Sequence, residues 1–349
     1  MSTPERQAPH LDWRRVTLGG LLALAVGAAV VFVIGRAAGF AELEETIREG
    51  DLAWLTVCAI GQSVVFAGYA GVYRYAAAFE GGPAISAGLS LRVTMASFGL
   101  TQLVAAGGAV AMAVTYWAFR RLSFDRHDAA VRMIGLNTLV YLVFGLLGWS
   151  AALLALIGDD APLAMTLPWL VLVPVVLVAA RWFTDGRRVR RWSAPGGSWL
   201  RQGLAIGVGA AWWVRRSLVA SDGRRMLPWA LLYWAGDVLS LWGALHAFGA
   251  GLGLAAVLLA YATGYVANSV PLPFIATGAM DAATTFALHA VGVPLQIALL
   301  AVVAHRVFAF WLPLLPALVL SALLPSTGRA LEEAARRREH EATDLAALT

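Results

Sequence analysis

Four ionisable side chains stand where the sequence is otherwise oily: Asp237, Asp281 and the neighbours His305 and Arg306. A charge at the centre of a membrane helix costs at least about 2.5–3.5 kcal/mol, so such a residue faces a polar cavity or a partner. The guanidinium group is built for a two-pronged grip on phosphate. Arg306 is therefore a candidate for binding a phosphate or other anionic headgroup, with Asp281 orienting it. A plainer alternative has Asp281 capping a half-helix, or pairing with Arg306 and doing nothing more. Asp281 follows Gly278 by three residues, one turn into a helix that the glycine would interrupt, where the helix dipole favours a carboxylate. For Asp237 the plain reading is a hydrogen bond with Ser240, Tyr233 or a neighbouring Trp. Asn137, Asn268 and Gln102 are further polar candidates, and each would serve equally well as glue between helices.

Catalytic and metal chemistry is not written in the chain. There is no HExxH, no GxSxG, no P-loop and no carboxylate pair with a nearby base. His289 and His305 lack the spacing of metal ligands, and His246 reads as interfacial. These signals predict no enzyme, no cofactor and no metal. Without an ATP-binding loop, any transport would be facilitated or driven by an ion gradient. Cys58 is the single cysteine, which excludes a disulfide framework and reads as a small buried apolar residue.

The elements that must hold these residues follow from composition. Of 349 residues, 60% are hydrophobic and 13% charged, with mean hydropathy +0.71; a globular chain carries about 25% charged residues. All 26 basic residues are Arg, and the net charge is +5. Their clusters flank apolar runs, which argues for positive-inside topology and against a nucleic-acid partner. The Trp residues, Trp212 and Trp213 among them, read as anchors at the membrane interface. Gly35 to Gly39 and Gly203 to Gly207 match GxxxG, a weak signal among 35 glycines.

A bilayer crossing needs about 20 apolar residues. Full spans are expected over 16–36, 52–73, 131–157, 163–180, 227–248 and 295–323. The first is too long for a signal core and is expected to insert uncleaved. The stretch 91–119 is too short for two crossings. As one crossing it would put Arg120, Arg121, Arg126 and Arg132 outside. Two half-helices entering from the cytoplasm and turning at Ala105-Ala106-Gly107-Gly108 satisfy both constraints. Broken helix at membrane depth is tolerated only inside protein or along a polar cavity. A second interrupted stretch, 252–291, is broken at Asn268 to Pro273 and at Gly278; it is either a hairpin entered from outside or a pair of short crossings. Between the halves, Gly203 to Val214 is too short to span and is expected to lie as an amphipathic helix on the inner surface.

Shifting the chain on itself by about 170 residues aligns Gly107 and Gly108 with Thr277 and Gly278. Few residues coincide, but the two broken stretches enter from opposite sides. Broken helices at matching positions of two inverted halves point to a midplane substrate site in a transporter.

The run Leu272-Pro273, Gly278, Asp281, then Gly292-Val293-Pro294, then His305-Arg306 and Trp311-Leu312-Pro313 resembles the end of the lysylphosphatidylglycerol synthase transmembrane region, also called the flippase-like membrane family. In length and span order the likeness covers roughly 16–323. That family shows a Pro-x-x-Gly-Gly-x-Gly stretch with a Glu, a Gly-Val-Pro and an Arg in the last long span. Here Asp281 replaces the Glu, Thr277 stands where glycine is usual, the first hairpin lacks its proline, and Asn137 holds a position often occupied by Arg. The resemblance implies handling or translocation of lipids in the bacterial plasma membrane. Some members carry a soluble aminoacyl-transferase domain; this chain ends soon after Pro325, so likeness to the membrane part implies no synthase activity.

The expected protein is thus all-α and polytopic, with about six spans and two re-entrant hairpins related by an inverted repeat. A tail over 1–15 precedes one membrane domain, 16–326, whose halves at 52–180 and 227–323 are joined by a basic segment, 181–226; a second tail covers 327–349. Both tails are expected in the cytoplasm. The expected function is that of a lipid transporter or flippase with Arg306, Asp281, Gly278, Gly107, Gly108, Asp237, Asn137 and Asn268 around a polar cavity, and anionic membrane lipids as partners. The alternative is a non-transporting scaffold for an envelope-lipid enzyme.

Overall fold

A computed structural model describes residues 50–103, 108–158, 161–187, 189, 199–267 and 276–348. Among these residues every regular element is helical and no strand occurs. In chain order the helices are α1 (Leu52–Ala78), α2 (Ala87–Leu103), α3 (Gly108–Arg121), α4 (Arg126–Gly158), α5 (Leu163–Phe183), α6 (Trp199–Val219), α7 (Met226–Ala247), α8 (Leu254–Val266), α9 (Ala276–Ala290), α10 (Leu295–Arg306), α11 (Leu312–Ala322) and α12 (Leu324–Leu348). The expected span at 16–36 lies outside the described residues.

Four helices are long and apolar enough to cross a bilayer: Leu52–Gly81, Arg126–Gly158, Leu163–Phe183 and Leu295–Ala322. The 22-residue α7 also has the length, about 33 Å at 1.5 Å per residue, but is diluted by Trp and Tyr. Apolar surface stays outside, as lipid demands. Helix α5 buries only Met165 and Thr166 and leaves Val171, Leu172, Val175 and Val178 more than half exposed.

Helices α1 and α7 form the central antiparallel pair. Asp51 caps α1, its carboxylate accepting from the Ala53 N–H at 2.8 Å, and its own N–H donates to the Ala247 carbonyl at the end of α7 at 3.0 Å. The helices touch backbone to backbone. A Cβ on Gly61 would lie 2.6 Å from the Gly236 oxygen, and one on Gly236 would lie 2.6 Å from the Gly61 oxygen. The contact is reciprocal along its whole length: Gly68 packs on Trp229, and Gly243 packs on the Trp54 backbone. Each second-half residue stands 175 positions after its mate (Trp54 and Trp229, Gly61 and Gly236, Gly68 and Gly243). This is the inverted repeat in its clearest form, carried by small residues that let two helices approach closely. Gly203 and Gly207, by contrast, face open space.

Around this pair stand two helical hairpins that open toward opposite ends. Limbs α2 and α3 have 17 and 14 residues, about 25 and 21 Å, short of a hydrocarbon core of about 30 Å. Ser97 Oγ donates across them to the Ala111 carbonyl at 3.3 Å. Their mouth is at the end where α1 finishes, fixed by Arg74 Nε donating to the Ile85 carbonyl at 3.0 Å and by Ser90 bonding to the Ala70 carbonyl. Phe98 reaches the level of Phe66, near the middle of α1, meeting it edge to face at 5.2 Å. Limbs α8 and α9 have 13 and 15 residues, about 20 and 22 Å, packed so closely that a Cβ on Gly264 would lie 2.6 Å from Thr284 Cα. Their mouth is at the other end, where Trp242 Nε1 donates to the Leu252 carbonyl at 3.1 Å. Both limbs are too short to span, which favours the re-entrant form of 252–291 over a pair of short crossings. The turns themselves, 104–107 and 268–275, lie outside the described residues.

Three features depart from the sequence reading. The segment expected over 203–214 is the 21-residue α6, held by its face rather than resting on the surface alone: Trp213 is buried against Gly135 and Phe79, and Arg215 Nη1 donates to the Thr184 carbonyl at 2.6 Å. Trp213 and Trp234 are core residues, 1% and 0% exposed, not interface anchors. The segment expected as a tail over 327–349 belongs to a helix that begins at Leu324 and docks on the first hairpin, burying Thr327, Leu331 and Ala335, with Arg121 Nη1 on Glu332 Oε1 at 2.5 Å.

Candidate functional site

The last long span is not one continuous α-helix. After Arg306, residues Val307–Trp311 form a turn of π-helix before α11 resumes. Such wide turns sit mostly at functional positions in helices, and this one rotates the chain immediately beyond the only adjacent pair of basic-type side chains in the described part of the span, His305 and Arg306.

Arg306 grips Asp281 with both prongs: Nε donates to Oδ2 at 3.0 Å and Nη2 donates to Oδ1. Asp281 is the sixth residue of α9, which runs from Ala276 through Gly278 to Ala290 without interruption, so the break expected at Gly278 does not fall on that residue. The pairing considered as the plain alternative is therefore real. Its geometry is also the one Arg offers to any planar oxyanion. Both side chains remain 23% exposed, so the pair is reachable.

One residue earlier, His305 enters a second polar cluster. His305 Nε2 lies 3.4 Å from Asp237 Oδ1, and its Nδ1 lies 3.2 Å from Ser240 Oγ. Asp237 also accepts from Gln62 Nε2 at 2.8 Å and from the Tyr261 hydroxyl. Four elements (α1, α7, α8 and α10) thus converge on one carboxylate. Asp237 is the twelfth of 22 residues in α7, about 17 Å from its start and about 15 Å from its end, so the cluster lies at mid-depth. The partners expected from sequence, Tyr233 or a Trp, are replaced by Gln62, Tyr261 and His305; Ser240 joins only through His305. The reason is tertiary: a side chain on the inner face of α7 cannot reach back to its own helix as well as it reaches α1 and α8.

Asn137 takes no part in this pairing. Its amide donates to the Met133 carbonyl at 2.9 Å, and its oxygen accepts from the Tyr69 hydroxyl at 3.4 Å. An aromatic band runs on from there: Tyr69 to Tyr233 at 5.6 Å, Tyr233 to Trp234 at 4.8 Å, and Trp234 to Tyr265 at 5.1 Å. It reaches Tyr261 and then His305, at 5.8 and 6.3 Å between ring centres. Gly108 opens α3 into free space. Gly107 and Asn268 lie outside the described residues. Of the sequence candidates, the structure therefore gathers Arg306, Asp281, Gly278 and, through His305, Asp237.

Sequence reasoning missed Gln62 and Tyr261 as partners of Asp237 and set Ser240 against Asp237, where it meets His305 instead; the detectable signal was Gln62, a lone amide in the middle of the apolar run of α1. It also missed a charged knot at the basic end. Arg132, 6% exposed, donates to the Ala76 carbonyl at 2.9 Å, lies 4.1 Å over the Phe124 ring and 3.8 Å from Glu80. Glu80 also holds Arg216 at 2.5 Å. Glu80 has a left-handed backbone, φ 57°, a conformation that persists only where surroundings hold it; here two Arg do so. A cleft of about 340 Å³ opens nearby, lined by Arg74, Tyr75, Ala78, Phe79, Ala84, Ile85, Asp222 and Arg225. It touches neither the Arg306–Asp281 pair nor the Asp237 cluster.

Residues 20–317 match the family described as the lysylphosphatidylglycerol synthase TM region. No curated protein matches the chain.

Proposed function

The chain belongs to the lysylphosphatidylglycerol synthase TM region family, and from that premise we propose that it moves an amphipathic lipid with an anionic or modified headgroup between the leaflets of a bacterial plasma membrane. The carrying observation is the two-pronged Arg306–Asp281 contact, partly exposed at a helix break. Arg306 is the headgroup ligand; Asp281 orients it and is the group the headgroup displaces. Two hairpins opening toward opposite ends supply the architecture for alternating access, since transporter sites are built from broken helices of two inverted repeats. The basic end, with Arg74, Arg120, Arg121, Arg132 and Arg216, faces the cytoplasm by the positive-inside rule. No bond of the lipid is made or broken.

The test is transbilayer movement of fluorescent phosphatidylglycerol in proteoliposomes holding wild type or Arg306→Ala. Wild type is expected to accelerate the exchange and the variant to lose most of that acceleration. Equal movement by both, or none by wild type, rejects the assignment.

A further inference from the structure

Two polar clusters share consecutive residues of one helix, and their charges do not close independently. Arg306 is neutralised by Asp281. Asp237 is held by Gln62, by Tyr261 and, at 3.4 Å, by His305. An anionic headgroup that takes Arg306 leaves Asp281 without its counter-charge, at a depth where an uncompensated charge is strongly unfavourable. Either binding is very weak or a positive charge arrives with the ligand.

His305 is the group placed to supply it. Among the described residues it faces Asp237 at 3.4 Å, and its neighbour in the chain, Arg306, is paired with Asp281. It meets Asp237 and Ser240 from α7 and Tyr261 from α8; Asp281 of α9 faces it across Arg306 of its own helix, and Gln62 of α1 completes the shell around Asp237. Its two nitrogens already have partners suited to both protonation states. With Nε2–H directed at Asp237, the neutral ring accepts at Nδ1 from the Ser240 hydroxyl. When a proton adds to Nδ1, the same hydroxyl turns to accept, because a hydroxyl serves as donor or acceptor by rotation alone. No side chain has to move for the charge to change.

We propose that the site takes up one proton for each anionic headgroup it binds, held on the His305–Asp237 pair, so that lipid movement is coupled to a proton gradient. This rests on Arg306 being the headgroup ligand. By linkage, a proton taken up on binding makes the Kd rise about tenfold per pH unit where the uptake is complete, so binding is tighter at low pH.

The experiment is calorimetry of the full chain in a nonionic detergent with dihexanoyl-phosphatidylglycerol, repeated in buffers of different ionisation enthalpy. The dependence of heat on buffer gives the number of protons taken up. Wild type is expected to take up close to one, and His305→Gln close to none, with weaker binding that no longer changes with pH. Glycerol phosphate is the second ligand: uptake with it as well assigns the chemistry to phosphate itself, and uptake only with the lipid assigns it to a tethered headgroup, either supporting the coupling. Binding whose heat is the same in every buffer overturns the coupling and leaves the headgroup site standing. Failure of both ligands to bind overturns both. Because the decisive measurement is made on wild type, a variant that fails to fold does not blunt it.

Discussion

The two hairpins share a frame and differ in chemistry. The first, α2 and α3, is closed with hydroxyls: Ser97 bonds to Ala111, Thr115 to its own helix at 2.9 Å, and Ser321 of α11 to the Ala96 carbonyl at 3.2 Å. The second, α8 and α9, sends Tyr261 and Asp281 to charged partners on α7 and α10. The central helices repeat the contrast. Gln62 and Asp237 are 175 positions apart, the same interval that relates Gly61 to Gly236, so the two-fold relation sets an amide opposite a carboxylate. The frame is symmetric and the charge is not. The repeat supplies a scaffold that opens to both ends, and charge in one half alone supplies the candidate site.

The largest way to break that comparison is to attack what the halves have in common. Gly236→Leu drives a side chain into the Gly61 backbone, where even a Cβ would stand 2.6 Å from oxygen. Overpacking typically costs about 1–3 kcal/mol and occasionally more; with backbone on the far side nothing can yield, so the variant should fail to purify as a monodisperse species in detergent. Gly203→Leu, which faces open space, should behave as the parent. Equal melting of Gly236→Leu and parent would remove α1–α7 contact as the centre of the fold.

The next effect separates the halves. Asp281→Ala takes away the carboxylate that Arg306 grips and is expected to cost at most about 3–5 kcal/mol, the range for breaking a buried pair from one side, discounted for the 23% exposure of both groups. The double change Asp281→Ala with Arg306→Met should recover most of that stability in thermal melts yet bind no anionic lipid. A double variant as unstable as the single one would mean the pair serves packing, and the contrast between hairpins would lose its functional sense. A smaller effect is expected at the docked C-terminal helix. Arg121→Ala removes a partly exposed ion pair to Glu332 and should cost about 1 kcal/mol or less, shrinking further in high salt; a salt-independent loss would indicate that stacking of Arg121 on Trp117, 5.4 Å away, dominates.

Much of this contrast was legible in the residues, for stated physical reasons. The hairpins follow from arithmetic: 91–119 is too short to cross twice and too basic at its end to cross once. Asp281 and Arg306 announce themselves because charge in an oily run is rare. Asp237 was visible for the same reason, but its partners were not, since Gln62, Tyr261 and His305 come from three other helices and no spacing along the chain links them. The π-turn after Arg306 left no trace in hydropathy, which registers apolar length and not the hydrogen-bond step. The repeat was seen blurred at about 170 residues because the glycine-rich turns were aligned; the Trp and Gly of α1 and α7 give 175, being fixed by backbone contact where turns are free to drift. The Glu80 knot was hidden because its Arg residues read only as topology signals.

The smallest effect tests the first hairpin on its own terms. Ser97 Oγ is 5% exposed as a residue and spans the limbs to the Ala111 carbonyl at 3.3 Å. That carbonyl also accepts from Thr115 at 2.9 Å, so Ser97→Ala leaves no acceptor unsatisfied. The expected cost is then at the low end of the range for a hydrogen bond, about 0.5 kcal/mol, with transport unchanged. Ser97→Asp places a carboxylate at a similar depth of the first hairpin, where no Arg among the described residues is paired across the limbs. If it destabilises by several kcal/mol, the first half lacks any counter-charge and the asymmetry between the hairpins is one of whole environments. If it is tolerated, the first hairpin is as wet as the second, and charge in this fold is decided by which residues were substituted and not by where water reaches.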